Sequence, residues 1–420
     1  MFWLLNEVME CTMNCKFNVV FFSALTAFIG VNAYGAGILS SENTLGLHPY
    51  AQYQVNYSNN IFDVQDANAA QSKYGTSRMS DTVQSATLGL LYNQSYGRQQ
   101  VQLGVSATHN KYDYFSQYSN NDKKLNSSLA WVIGSKLTGH VSYDYSQTLT
   151  PFRYFQVTEK TMTSYATANA DAVWSIANDW GLTAGVTSVR SDYNNAQLNQ
   201  YDYTSLAASV GVLYKTVQDN EFGLYAKSSN GSYPNTTVVN GATLDNSYYQ
   251  DEYNLKARWV PKSDLSFDLE GGWQTRRRKD TDVGKYSGLN ARLSSYWKAS
   301  GKSTLGVSAW QTFSGLTEAD ANFALSKGYA LSWRYALTSK VSFLSQYRYE
   351  NRNYNGVSII SGVSPLGRKD TYKKASVDMT YNAYQKLAFL MSLSKENNAS
   401  NINGSSYSAL GASISAKYTY

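Results

Sequence analysis

Cysteine is almost missing: among 420 residues only Cys11 and Cys15 occur, and both precede the apolar stretch 17–31. If that stretch is an export signal, the mature chain holds no thiol, which excludes disulfide staples, thiolate catalysis and a lipidated N-terminal cysteine. Long hydrophobic runs are missing too. No segment after residue 40 approaches the ~18 apolar residues of a membrane helix, so any membrane span must be built from alternating strands. Histidine occurs at His48, His109 and His140 only, in no spacing that would hold zinc or orient a nucleophilic serine. His140 shares a strand face with one acid nearby, Asp144. Catalysis finds little footing in this set; neither a cofactor nor a metal is expected, and the chain does not read as an enzyme. Charge is sparse at 16%, and Pro fills 5 positions against 36 Tyr, 15 Phe and 9 Trp. That balance suits aromatic-rich strands and not helical bundles.

The chain opens as an exported protein does. Lys16 leads the apolar stretch, and Asn32-Ala33-Tyr34-Gly35-Ala36 follows it in the small-residue order a signal peptidase reads, with cleavage expected after Ala33 or Gly35. Residues 1–35 are read as the signal peptide. Glu7 and Glu10 fit a positive leader badly, which makes Met13 a candidate start. Lys16, Glu7 and Glu10 leave with residues 1–33, so 36 basic and 30 acidic residues become 35 and 28, a net charge of +7. The one dense basic patch, Arg276-Arg277-Arg278-Lys279, reads as a solvated loop or lumen rim between two strands, and no nucleic-acid partner is expected.

From Tyr50 onward one unit repeats: an alternating strand of about 10–15 residues, then a turn. Eighteen such strands are expected, from 48–59, 82–95 and 98–114 through to 386–397 and 406–420. The connections alternate in length. Gly134-Ser135, Asn178-Asp179 and Pro261-Lys262 are tight, whereas 60–81, 230–246 and 353–370 are long and polar. This rhythm predicts an all-β fold, a transmembrane antiparallel up-and-down β-barrel of about 18 strands with short periplasmic turns and long extracellular loops. The expected organisation is a short periplasmic segment, 36–47, then an outer-membrane β-barrel over 48–420. The bacterial outer membrane follows as location, with its lipid as surroundings. Leu410, Ala412, Ile414, Ala416, Tyr418 and Tyr420 alternate to the C-terminus as barrel insertion machinery reads them, which makes that machinery an expected partner.

Side-chain alternation assigns the faces. Over 265–273 the apolar set Leu265, Phe267, Leu269, Gly271, Trp273 opposes Ser266, Asp268, Glu270, Gly272, and 253–259 repeats the pattern. Apolar side chains would face lipid. The lumen would present Asp144, Glu252, Lys256, Arg258, Asp268, Glu270, Arg276, Arg292, Arg334, Arg348, Glu350 and Asp378, both signs interleaved, together with Gln274, Gln346 and Arg352. Tyr143, Tyr145, Trp174, Trp180, Trp259, Trp273, Trp297, Trp310, Trp333, Tyr347 and Tyr349 are expected in the aromatic girdles at the membrane interfaces. Loops 230–246 and 353–371 are candidates for folding inward as constrictions.

The strand sequences 81–92 (DTVQSATLGLLY), 139–155 (GHVSYDYSQTLTPFRYF), 169–186 (NADAVWSIANDWGLTAGV), 232–235 (SYPN) and 301–311 (GKSTLGVSAWQ) resemble the EpsL family of exopolysaccharide-operon, exosortase-associated outer-membrane barrels. That resemblance implies a pore for exopolysaccharide export, working with periplasmic and inner-membrane export components, and it carries no catalytic motif. Two alternatives stand beside it: a general or solute-specific diffusion porin, and a surface adhesin or structural barrel.

Overall fold

The structure, a computed structural model, describes residues 45–420 except 154, 156, 157, 217, 219, 240, 241, 246, 280–284, 316–322 and 356–366. The signal peptide and most of segment 36–47 lie outside the described residues. Eighteen long strands form one sheet: β1 (Gly46–Ser58), β2 (Asp81–Tyr96), β3 (Gln99–Tyr112), β4 (Asn120–Ile133), β5 (Leu137–Leu149), β6 (Met162–Ser175), β7 (Trp180–Tyr193), β8 (Tyr203–Lys215), β9 (Glu221–Ser232), β12 (Tyr248–Lys262), β13 (Leu265–Arg278), β14 (Tyr286–Lys298), β15 (Ser303–Gly315), β16 (Phe323–Ala336), β17 (Val341–Asn355), β18 (Lys369–Tyr384), β19 (Leu387–Ser400) and β20 (Tyr407–Thr419). A small hairpin, β10 (Thr237–Val239) with β11 (Ala242–Leu244), lies in the loop between β9 and β12. Every long strand pairs antiparallel with its neighbours in this order, and β1 pairs with both β2 and β20. The sheet is therefore closed. Closure satisfies the backbone without leaving an edge, which is the condition lipid imposes on any strand-built span. No helix among the described residues is long and apolar enough to cross a membrane.

Register identifies the two faces, because directly paired residues of an antiparallel ladder point to the same side. Leu88 pairs with Ala107, Val105 with Leu125, Leu129 with Val141, and Ala170 with Val186, so one apolar face passes from strand to strand. Leu88 is 71% exposed and Leu224 65%, values that only a lipid surround makes tolerable over so wide an area. The opposite face carries serine, threonine, asparagine, glutamine and the charged residues.

The connections obey the expected asymmetry. Turns on one rim are short, and Gly97 (φ 61°) and Gly134 (φ 60°) take the left-handed conformation that a side chain would strain. The other rim carries the long loops. Asp81 fixes one of them by accepting backbone N–H groups from Tyr114 and Phe115 at 2.9 Å each. Helix α1 (Ala67–Tyr74) lies in loop 59–80, capped by Asp66, whose Oδ1 accepts from Ala69 N at 2.8 Å, and ended by Gly75 in the left-handed region. Two expectations are corrected here. Arg276, Arg277 and Arg278 belong to β13 rather than to a loop, since the β12 ladder continues to the Tyr248–Arg278 pair. Trp310 leaves the girdle group: it is 7% exposed and pairs with Arg292 and Gly328 on the inner face.

Candidate pore lining

Strand parity places Asp144, Glu252, Lys256, Arg258, Asp268, Glu270, Arg276, Arg292, Arg334, Arg348, Glu350 and Asp378 opposite the apolar face. They divide into groups. On β9, β12 and β13, Lys227 meets Glu252 at 3.1 Å, Lys256 meets Glu270 at 3.2 Å, and Arg258 lies 3.9 Å from Asp268. Arg276 stacks over the Tyr248 ring, 3.4 Å from its centroid. Asp144 stands apart on β5, accepting from Asn126 Nδ2 at 2.6 Å, and the acid nearest His140 is Asp171 at 3.7 Å rather than Asp144. Arg334 and Asp378 make no ion pair with each other among the described residues; Leu344 separates them in the ladder.

The densest group surrounds Trp310. Gly328 faces it across the β15–β16 ladder, where an added Cβ would lie 2.6 Å from the indole, so only glycine lets the ring lie against the wall. Trp310 Nε1 donates to Ser326 Oγ at 3.1 Å, and that hydroxyl donates to Glu350 Oε1 at 2.7 Å. Glu350 is fully buried and also accepts from Arg348 Nε at 2.9 Å and Arg352 Nε at 2.8 Å. A carboxylate this deep is sustained by charged partners and a hydroxyl together. Arg348 and Arg292 lie over the Trp310 ring at 4.7 Å and 5.5 Å. The result is an aromatic plate held by a fixed network between two guanidinium groups. Alternation could have found Trp310, since Leu305 and Val307 set its parity, and it was obscured by the habit of interfacial tryptophan.

A second group narrows the long-loop end. Phe62, Val64, Ala70, Phe115 and Tyr118 form a buried cluster with Phe152 against it, tying loops 59–80, 113–119 and 150–161 together. From this cluster Arg153 reaches Glu396 on β19 at 3.8 Å, and Glu396 also holds Lys374 at 3.4 Å and the Tyr372 hydroxyl at 3.0 Å. Arg153 follows the fifth barrel strand and Glu396 lies on the seventeenth, so the contact spans about a third of the ring. Among the described residues, segments 59–80 and 150–153 are thus the ones that fold inward. Of the expected constrictions, 230–246 carries the β10–β11 hairpin with Asn235 bound to Asn199 O at 2.8 Å, and most of 353–371 lies outside the described residues. Asp63 has a left-handed backbone (φ 52°), which aspartate tolerates better than most residues. It keeps some accessible surface, yet protein rings it at longer range, and that loss of bulk water raises its carboxyl to about 7; Arg153 opposes the rise, Glu396 adds to it and Lys374 opposes it. Loop positions such as Asp63 and Arg153 follow no period, so alternation gave no sign of them.

Residues 263–419 match the model of a family described as "Putative beta-barrel porin 2". This chain is a porin-like outer-membrane β-barrel. Among solved structures, the outer membrane protein OpdK of Pseudomonas aeruginosa is similar at 12% identity and TM-score 0.48, over 90% of this chain and 100% of that one. OccK2 (OpdF) of the same organism, in complex with glucuronate, gives 11% identity and TM-score 0.48 over 89% and 98%. OccAB3 of Acinetobacter baumannii gives 10% and 0.45 over 89% and 99%. A search of curated proteins finds no significant match.

Within this porin-like barrel the charges are unevenly spread around the ring. Strands β4–β6 are the fourth to sixth of eighteen and β14–β17 the twelfth to fifteenth, about half a turn apart. The first wall carries Asp122, Asp144 and Asp171 with Lys124 and His140, among serine, threonine and asparagine. The facing wall carries Arg292, Arg348 and Arg352 around Trp310. Opposed net signs on facing walls set a transverse field across the interior.

Proposed function

We propose that this barrel is a diffusion pore selective for small hydrophilic solutes that carry an anionic group, such as a carboxylate. The observation that carries this reading is the Arg292–Trp310–Arg348 group: two cations lie over one buried indole on the inner wall. An anion can exchange water for guanidinium donors that the buried indole backs, and contacts of this strength bind briefly enough to release. The role is conduction and not catalysis, and the match to a porin family over 263–419 agrees with it. Export of an exopolysaccharide, which the EpsL resemblance implies, rests on the strand sequences alone and would ask a long polymer to pass the contact between Arg153 and Glu396. The test is blockade of single channels formed by the purified, refolded protein in planar bilayers. A uronic acid is expected to interrupt the current at concentrations where its neutral hexose does not; equal blockade by both would refute the anion preference, and blockade only by a long glycan would favour export.

A further inference from the structure

The lumen accounts for the inward charges of β16–β19 but not for the outward ones. On the outer face these four strands carry Lys327, Lys369, Lys373 and Lys395, all exposed. The acids of the same strands, Glu350, Asp370, Asp378 and Glu396, all have inward parity. The contrast in pairing is sharp: inward Arg348 and Arg352 bind Glu350 and inward Lys374 binds Glu396, whereas none of the four outward lysines has an ion pair among the described residues. The neighbour of Lys373 is instead the Tyr349 ring, 5.9 Å away.

Height matters as much as sign. Lys327 lies one outward position beyond Tyr329, Lys373 one beyond Ala375 and Lys395 one beyond Leu393, each on the long-loop side. Within two outward positions below them Leu331, Val377 and Leu393 are 45%, 48% and 63% exposed on the lipid face. The lysines therefore stand where the acyl region gives way to headgroups. Lys373 pairs with Asn397 and Lys395 with Ala375, making them diagonal neighbours ~7–8 Å apart. Lys327 is two strands from Lys373, an offset of ~10 Å across the sheet. Such a cluster repels itself until an anion neutralises it. A second copy of this chain would present the same positive face, so a symmetric self-contact is disfavoured.

We propose that the outer face of β16–β19, at its long-loop end, binds a phosphorylated glycolipid of the outer leaflet, with Lys327, Lys373 and Lys395 on its phosphates and Leu331, Val377 and Leu393 against its acyl chains. The flexible lysine stems suit this role, because they keep the ammonium at the headgroup while the methylenes lie on the apolar wall. The experiment titrates the purified full-length protein with lipopolysaccharide bearing its lipid A phosphates, and with the dephosphorylated form, reading the bound fraction by native mass spectrometry. The triple variant Lys327→Gln, Lys373→Gln, Lys395→Gln should bind the phosphorylated form about ten-fold or more weakly. Its conductance should be unchanged, and dephosphorylated lipopolysaccharide should bind wild type and variant alike. Equal binding of the phosphorylated form by both proteins, or equal binding of both forms by the wild type, would overturn the proposal. So would a variant that loses only self-association. Should the variant not refold, Lys→Arg replacements that keep the affinity, together with wild-type binding that weakens as salt rises, sustain the proposal; affinity indifferent to salt would refute it.

Discussion

The two walls of the lumen hold their charges in opposite ways. Asp144 on β5 rests on a single amide from Asn126, amid hydroxyl-bearing neighbours. Around Trp310 the charges of Glu350, Arg348 and Arg352 fix one another: Gly328 leaves the space, Ser326 holds the indole, and Glu350 holds Ser326, Arg348 and Arg352. A group fixed in this way does not reorganise when a solute arrives, so its field is available at no further cost. On the proposed reading, selectivity resides on the β14–β17 side, with the acidic wall completing the field without choosing the solute.

The strongest way to break that comparison is to reverse the rigid wall. Arg292→Glu with Arg348→Glu should turn anion preference into cation preference, a change of about ten-fold or more in permeability ratio, read from reversal potentials. A control on facing comes next. Leu269→Arg, on the lipid side of β13, should cost about 2–4 kcal/mol of barrel stability, while Glu270→Gln beside it should cost well under ~1 kcal/mol. Urea titration followed by heat-modifiable gel mobility distinguishes them, and equal losses would mean that the faces are exchanged. Trp310→Ala, which removes the buried ring on which Arg292 and Arg348 lie, should weaken anion blockade by about 3- to 10-fold, the worth of a cation–π contact. Asp144→Asn should change both readouts less than about two-fold, since the isolated carboxylate anchors no network.

The loop latch gives a pH-dependent expectation at the mouth of the pore. Burial holds the Asp63 carboxyl at about 7, above its ordinary 3.8. A raised carboxyl pKa means that the packed loop retains a proton which the released loop has lost, so packing is strongest below the ordinary pKa and weakens as pH rises through about 7. Loop 59–80 should resist proteolysis better at low pH than at high pH, and Asp63→Asn should remove most of that dependence. Arg153, Glu396 and Lys374 are the charges that face Asp63, and the asparagine variant separates its contribution from theirs.

Much of this architecture was legible because two periods run through the chain. The period of two within strands predicted the inward parity of the Lys256–Glu270 and Arg258–Asp268 pairs, and alternating connection lengths predicted eighteen strands within a few residues of their bounds, as with 82–95 against Asp81–Tyr96. What escaped was what no period encodes. The Arg153–Glu396 contact joins a loop to a strand far around the ring, and closure alone brings them together. The Trp310 plate depends on a glycine on the neighbouring strand, a relation that appears only once the β15–β16 register is known.

The most direct test of the account is the conductance and reversal potential of the refolded wild-type protein in a planar bilayer under a salt gradient. Discrete open steps with a potential favouring anions are the predicted result. Sealed bilayers, or open steps that favour cations, would contradict a selective pore governed by Arg292 and Arg348.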